Sequence, residues 1–120
     1  MNPRATGVSQ LSVSDLRGRL DRGEAVVVLD VREVHERDFC AIPTPPAVAD
    51  LHIPMGRVQA SLEEIRAAAA AGPLVVYCHH GVRSMTVACW LAKRGVPGVH
   101  NLEGGIDAWS LAVDPDLPRY

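Results

Sequence analysis

Two short runs, AVVVLD at residues 25–30 and LVVYC at residues 74–78, constrain this chain more than anything else in it. Both are apolar almost throughout and rich in β-branched residues, without the alternation of a strand that keeps one wet face. Strands of this kind are stable where both faces are covered, which calls for a parallel sheet between two layers of helix. The intervening segments supply those helices. LSVSDLRGRLDRG opens with Ser12-x-x-Asp15 as a helix start, places Val13, Leu16 and Leu20 on one face, and stops at Gly23. REVHERDF predicts a short helix whose charges form mostly a solvated face. SLEEIRAAAAAG is capped at Ser61, completes a capping box with Glu64, and ends at Gly72-Pro73. SMTVACWLAKRG predicts a helix from Ser84 to Arg94, closed by Gly95. GVHNLEGG reads as a short strand and a turn at Gly104-Gly105, followed by a helix through Ile106, Ala108 and Trp109. The segment CAIPTPPAVADLHIPMGR holds four prolines and reads as loop, with a short strand near Leu51 to Ile53.

At 120 residues the chain is expected to form one domain, with a core over about residues 8–112 and a tail over 113–120. A formal net charge of −2 argues against nucleic acid or an anionic membrane as the main partner. No apolar stretch approaches the roughly 18 residues of a membrane span, and MNPRATGVSQ lacks the apolar centre of a secretory signal. The cysteines are Cys40, Cys78 and Cys89, an odd count without paired spacing. This predicts a reducing compartment and a cytoplasmic protein. Cys40 and Cys89 are assigned to packing, as are Trp90 and Trp109.

Parallel sheets bind ligands beyond the carboxyl ends of their strands, and both Asp30 and Cys78 fall at such ends. Cys78 is followed at once by His79, His80, Gly81, Val82, Arg83 and Ser84. A tight loop between a strand and a helix N-terminus turns backbone N–H groups inward and stabilises a thiolate or a bound oxyanion. Gly81 tolerates the left-handed dihedrals of a sharp loop. Arg83 offers a fixed positive charge suited to an anionic substrate. Ser84 either caps the helix or hydrogen-bonds the sulfur, and His79 and His80 either add partial positive charge or face solvent. The bland alternative is that Cys78 is a small buried hydrophobe; the polar, glycine-containing run behind it argues for a nucleophile. His52, His79 and His80 with Cys78 lack the CxxC or HxxxH spacing of a zinc site. Neither a metal nor another cofactor is expected.

Three blocks, in order, carry a resemblance: VVVLDVREVHE (26–36), VVYCHHGVRSMTVACWLAKRG (75–95) and VHNLEGGIDAW (99–109). Together they resemble the rhodanese-like sulfurtransferase family, the single-domain thiosulfate sulfurtransferases in particular, over about residues 8–112. The resemblance implies a central five-stranded parallel sheet flanked by helices on both faces. It implies that Cys78 takes a sulfane sulfur from a donor such as thiosulfate or a persulfide, and passes it to a thiol or cyanide. A sulfur-relay protein is a possible partner on the same grounds. The loop from His79 to Ser84 matches the anion cradle, with Arg83 as the arginine favouring an anionic donor. Asp30 and Arg32 match a pair that supports the loop, and Glu103 is placed as a partner for Arg32. His52-Ile53-Pro54 matches half of a family block whose glycine pair this chain lacks, which leaves the rim of the pocket open. Two rivals stand beside this reading. One is a non-catalytic rhodanese-like interaction module. The other is a cysteine-dependent phosphatase or arsenate reductase, whose Cys-x5-Arg loop is one residue longer than the step from Cys78 to Arg83.

Overall fold

A computed structural model describes residues 7–120; the opening residues, read above for a secretory signal, lie partly outside them. Five strands are present: β1 (Ser9–Leu11), β2 (Val27–Asp30), β3 (Ala49–His52), β4 (Leu74–Tyr77) and β5 (Val99–Leu102). They form one sheet in the order β1-β5-β4-β2-β3, and every pairing is parallel. Five α-helices connect them: α1 (Val13–Asp21), α2 (Val34–Phe39), α3 (Leu62–Ala69), α4 (Val82–Lys93) and α5 (Gly105–Ala112). No helix among the described residues is long and apolar enough to cross a membrane.

The two apolar runs take the central positions, and all four residues of both β2 and β4 are buried. Successive side chains of a strand point to opposite faces, so each run feeds two cores. Val27, Leu29 and Val76 pack with Ile65 of α3 and with Val87, Ala88 and Leu91 of α4. Val28, Val75 and Tyr77 pack on the other side with Leu16 and Leu20 of α1 and Ile106 and Trp109 of α5. Uniform hydrophobicity is the sequence mark of this double coverage.

Several expectations need correction. Ser9–Leu11 is a strand that sequence reading missed: it has three residues, of which Leu11 alone is buried, too few for a periodic pattern. Ser61 does not cap α3. Two 3₁₀ turns, Met55–Arg57 and Gln59–Ser61, run straight into the helix. Ser61 N–H is already taken by the Val58 carbonyl at 3.0 Å, and its hydroxyl makes no capping bond. The helix α4 begins at Val82, ahead of the expected Ser84, because Gly81 at φ 98° turns the chain directly into it. Trp109 is core as expected, whereas Trp90 is only half-buried, with the Arg94 guanidinium 4.5 Å above its ring.

From β2 the chain moves outward to β3, while from β4 it moves the other way to β5. The carboxyl ends of β2 and β4 therefore flank the point where connections diverge, the usual place for a ligand crevice. Asp30 stands in register with Tyr77, one residue before Cys78.

Candidate active site

Cys78 leaves β4 only 1% exposed. Its sulfur receives the backbone N–H of Gly81 at 3.1 Å and that of Ser84 at 3.3 Å. The first turn of a helix has no internal acceptors for its N–H groups, and α4 spends that of Ser84 on the sulfur. The Ser84 hydroxyl lies 3.3 Å from the sulfur and 2.6 Å from Asn101 Oδ1. The Asn101 amide nitrogen donates to the Gly81 carbonyl at 3.3 Å and to Gln10 Oε1 at 3.0 Å, which fixes the direction of the amide. Asn101 Oδ1 can only accept, so the serine proton points toward it. In the thiol form the sulfur then donates to Ser84 Oγ; in the thiolate form the two backbone amides bear the charge.

The last strand and helix grip the loop from below. Ile106 N–H donates to the Cys78 carbonyl at 3.0 Å and Asp107 N–H to the His79 carbonyl at 3.1 Å. This close approach is possible because Gly105 has no side chain: a Cβ there would stand 2.5 Å from both carbonyl oxygens, and φ is +61°. The sequence LEGG is thus a docking surface for the cysteine loop.

A buried ionic layer lies beneath. Arg32 is fully buried and binds Asp30 through Nε at 2.9 Å and Nη2 at 2.8 Å. Its other N–H directions go to the carbonyls of Glu36 (3.3 Å) and Cys40 (2.7 Å) and to the Tyr120 hydroxyl (3.0 Å). All five donors are used, none of them on Glu103, which is exposed; the expected Arg32–Glu103 pair does not form. Asp30 and Arg32 do not touch the sulfur. They anchor the chain after β2, where His52 Nε2 meets the Arg32 carbonyl at 2.8 Å and Ile53 N–H donates to the Asp30 carbonyl at 2.9 Å. His52-Ile53-Pro54 is thereby tied to Asp30-Val31-Arg32, and the rim that sequence left open is set.

The charges of REVHERD are not all on a solvated face. Glu36 is buried and receives both terminal nitrogens of Arg83, at 2.7 and 2.9 Å. The side-chain bonds from Arg83 hold Glu36 far below the usual carboxylate range, and desolvation opposes this only in part. The positive charge expected at Arg83 is thus paired with Glu36. The Tyr120 hydroxyl donates to Glu36 Oε2 at 2.8 Å, and its own ionisation is pushed up to about 12, first by burial. Its ring lies parallel to His79, with centroids 3.9 Å apart, and meets Phe39 edge-on at 5.7 Å. The tail thus folds back over the loop, helped by Arg119 on Asp107 at 2.8 Å. His79, partly buried, is held toward its neutral form by desolvation and by His80 beside it. His80 is exposed, 3.8 Å from Asp107.

Asn101, Glu36 and Tyr120 escaped sequence reading. Asn101 had a signal, since it sits near the carboxyl end of an expected strand just before LEGG. Glu36 was hidden among other charges, and nothing in the tail's composition marks Tyr120.

A depressed carboxylate contributes stability at pH above its unfolded value, about 4.3, and loses it as pH falls toward the folded value. The melting temperature is therefore expected to drop as pH is lowered from about 5 toward 3, and Glu36→Gln to flatten that slope. Thermal unfolding of both proteins across this range checks it; parallel curves would refute the role given to Glu36.

The family model described as Rhodanese-like domain matches residues 12–112. "Probable adenylyltransferase/sulfurtransferase MoeZ" of Mycobacterium tuberculosis is 32% identical over 112 residues, covering 93% of this chain but 27% of that protein. "Thiosulfate sulfurtransferase GlpE" of Pseudoalteromonas translucida is 25% identical over 109 residues, 91% of this chain and 95% of that one. The human single-domain sulfurtransferase TSTD1 superposes with a TM-score of 0.70 at 25% identity, covering 86% of this chain and 96% of that structure. The chain thus spans about a quarter of a relative such as MoeZ and nearly all of GlpE. With its five parallel strands and the matched span, the chain belongs to the rhodanese-like domain family.

Proposed function

We propose that this protein is a sulfurtransferase that carries a sulfane sulfur as a persulfide on Cys78. The observation that supports this best is the pair of amides, from Gly81 and Ser84, aimed at a sulfur at the sheet's switch point. Such donors stabilise a thiolate before the reaction and compensate the charge that develops during it. In the first half-reaction the Cys78 thiolate attacks the outer sulfur of a donor such as thiosulfate. A new S–S bond forms, the old one breaks, and sulfite leaves with its electron pair. In the second, a thiolate or cyanide takes the outer sulfur and Cys78 returns as thiolate. A sulfur-relay protein could serve as donor or acceptor by the same chemistry.

The non-catalytic alternative leaves the cysteine and its aimed amides without a use. A phosphatase loop of this kind has five residues between cysteine and arginine; here four separate Cys78 from Arg83, whose charge is paired with Glu36. Intact-protein mass spectrometry after thiosulfate treatment tests the reading. A gain of one sulfur, about 32 Da, is expected, removed by reductant. Stoichiometric treatment that leaves the mass unchanged with this and with organic sulfane donors would sink it.

A further inference from the structure

The charges around the sulfur cradle cancel in pairs. Arg83 carries Glu36, Arg32 carries Asp30, Arg37 carries Asp50, and Arg119 carries Asp107. Glu36 cannot swing aside: it is buried, Oε1 also accepts the Glu33 N–H at 3.0 Å, and Oε2 accepts the Tyr120 hydroxyl. Arg83 still has N–H directions to offer, but its charge is compensated by a fixed neighbour. The uncompensated positive field at the sulfur is then partial, from two amides and the start of α4, which amounts to roughly half an elementary charge. A reaction through the Cys78 thiolate already places one negative charge there. A dianionic donor would bring two more.

We infer that Glu36 is a specificity-determining positioning residue. By neutralising Arg83 it fits the cradle to sulfane-sulfur donors bearing a single negative charge, of the thiosulfonate class, in preference to the thiosulfate dianion. This rests on the sulfur-transfer reading above and names its donor class. The step balances. The Cys78 thiolate attacks the terminal sulfur of R–SO2–S⁻, the new S–S bond forms, and the bond to the sulfonyl group breaks with its electron pair leaving on sulfinate. Two negative charges enter and two remain, one on the persulfide and one on the sulfinate. The same exchange with thiosulfate carries three.

Methanethiosulfonate and thiosulfate are near-isosteres that differ by one charge, so sulfur transfer from each to cyanide isolates the effect. The parent protein should show a KM about tenfold lower for methanethiosulfonate, the scale of one unit charge about 3 Å away at the dielectric of water. Glu36→Gln should lower the KM for thiosulfate about tenfold and that for methanethiosulfonate less than about threefold. Arg83→Gln, leaving Glu36 unopposed, should raise the thiosulfate KM more than the other. The double variant E36Q/R83Q should return the discrimination to near the parental ratio, since a neutral pair has been replaced by a neutral pair. A merely structural role for the pair would move both KM values together in every variant, and that outcome overturns the inference, as does an equal KM for the two donors in the parent. These variants cover each other if one fails to fold. Absence of transfer and of the 32 Da gain with both donors in the parent protein would overturn the sulfur-transfer reading, and this inference with it.

Discussion

Cys78→Ser is expected to lose sulfur transfer by at least about a thousandfold while the protein still folds, the scale of losing a covalent nucleophile. The site tolerates the exchange because serine is the smaller residue and its oxygen can accept the Gly81 and Ser84 amides that now reach the sulfur. Stability should change by no more than about 1 kcal/mol. Function does not tolerate it, since a hydroxyl at neutral pH is a poor nucleophile and cannot form the S–S bond that stores the transferred atom. Thiocyanate formation from thiosulfate and cyanide, read beside the melting temperature, separates the two. Parental turnover in the serine variant would mean that sulfur travels by another route.

Gly105→Ala should damage both the fold and the cysteine loop. The added methyl would stand 2.5 Å from the carbonyl oxygens of Cys78 and His79 and 2.7 Å from the His79 carbonyl carbon. These are backbone atoms, so no side chain can move aside. The left-handed φ of +61° adds its own cost to any residue with a Cβ. Together these predict a loss of about 3 kcal/mol or more. To accept alanine, α5 must retreat, which breaks the bonds from Ile106 and Asp107 that hold the loop carbonyls. Chemical denaturation and sulfur-transfer assays should therefore both register the change. An alanine variant with parental stability and turnover would show that the grip of α5 on the loop is dispensable.

The helices were legible because burial of one face imposes a periodicity, and the central strands because burial of both faces removes it. AVVVLD and LVVY could be nothing but central strands, and Ser12 caps α1 as its spacing indicated, with the Asp15 N–H 3.1 Å from its hydroxyl. The geometry of the loop was legible as well: Gly81 takes the left-handed turn, and Ser84 lies beside the sulfur at the start of the helix. Pairing was not. Glu36 and Glu103 are both acidic residues that could pair with a distant arginine, and only the fold decides that Glu36 meets Arg83 while Glu103 faces water. Ser61 failed for a related reason: a capping box presumes an extended approach to the helix, and two 3₁₀ turns replaced it. Tyr120 lies 88 residues from Arg32, and a contact at that separation leaves no local trace.

The bonds of Asn101 to Gln10 and of Tyr120 to Arg32 span 91 and 88 positions, so the cradle is closed by contacts between segments far apart in the chain. Contacts of such separation form late, because the intervening chain must first surrender its freedom. Until β5 and α5 are in place, the Cys78 loop has neither Asn101 beside Ser84 nor the two amides that hold its carbonyls.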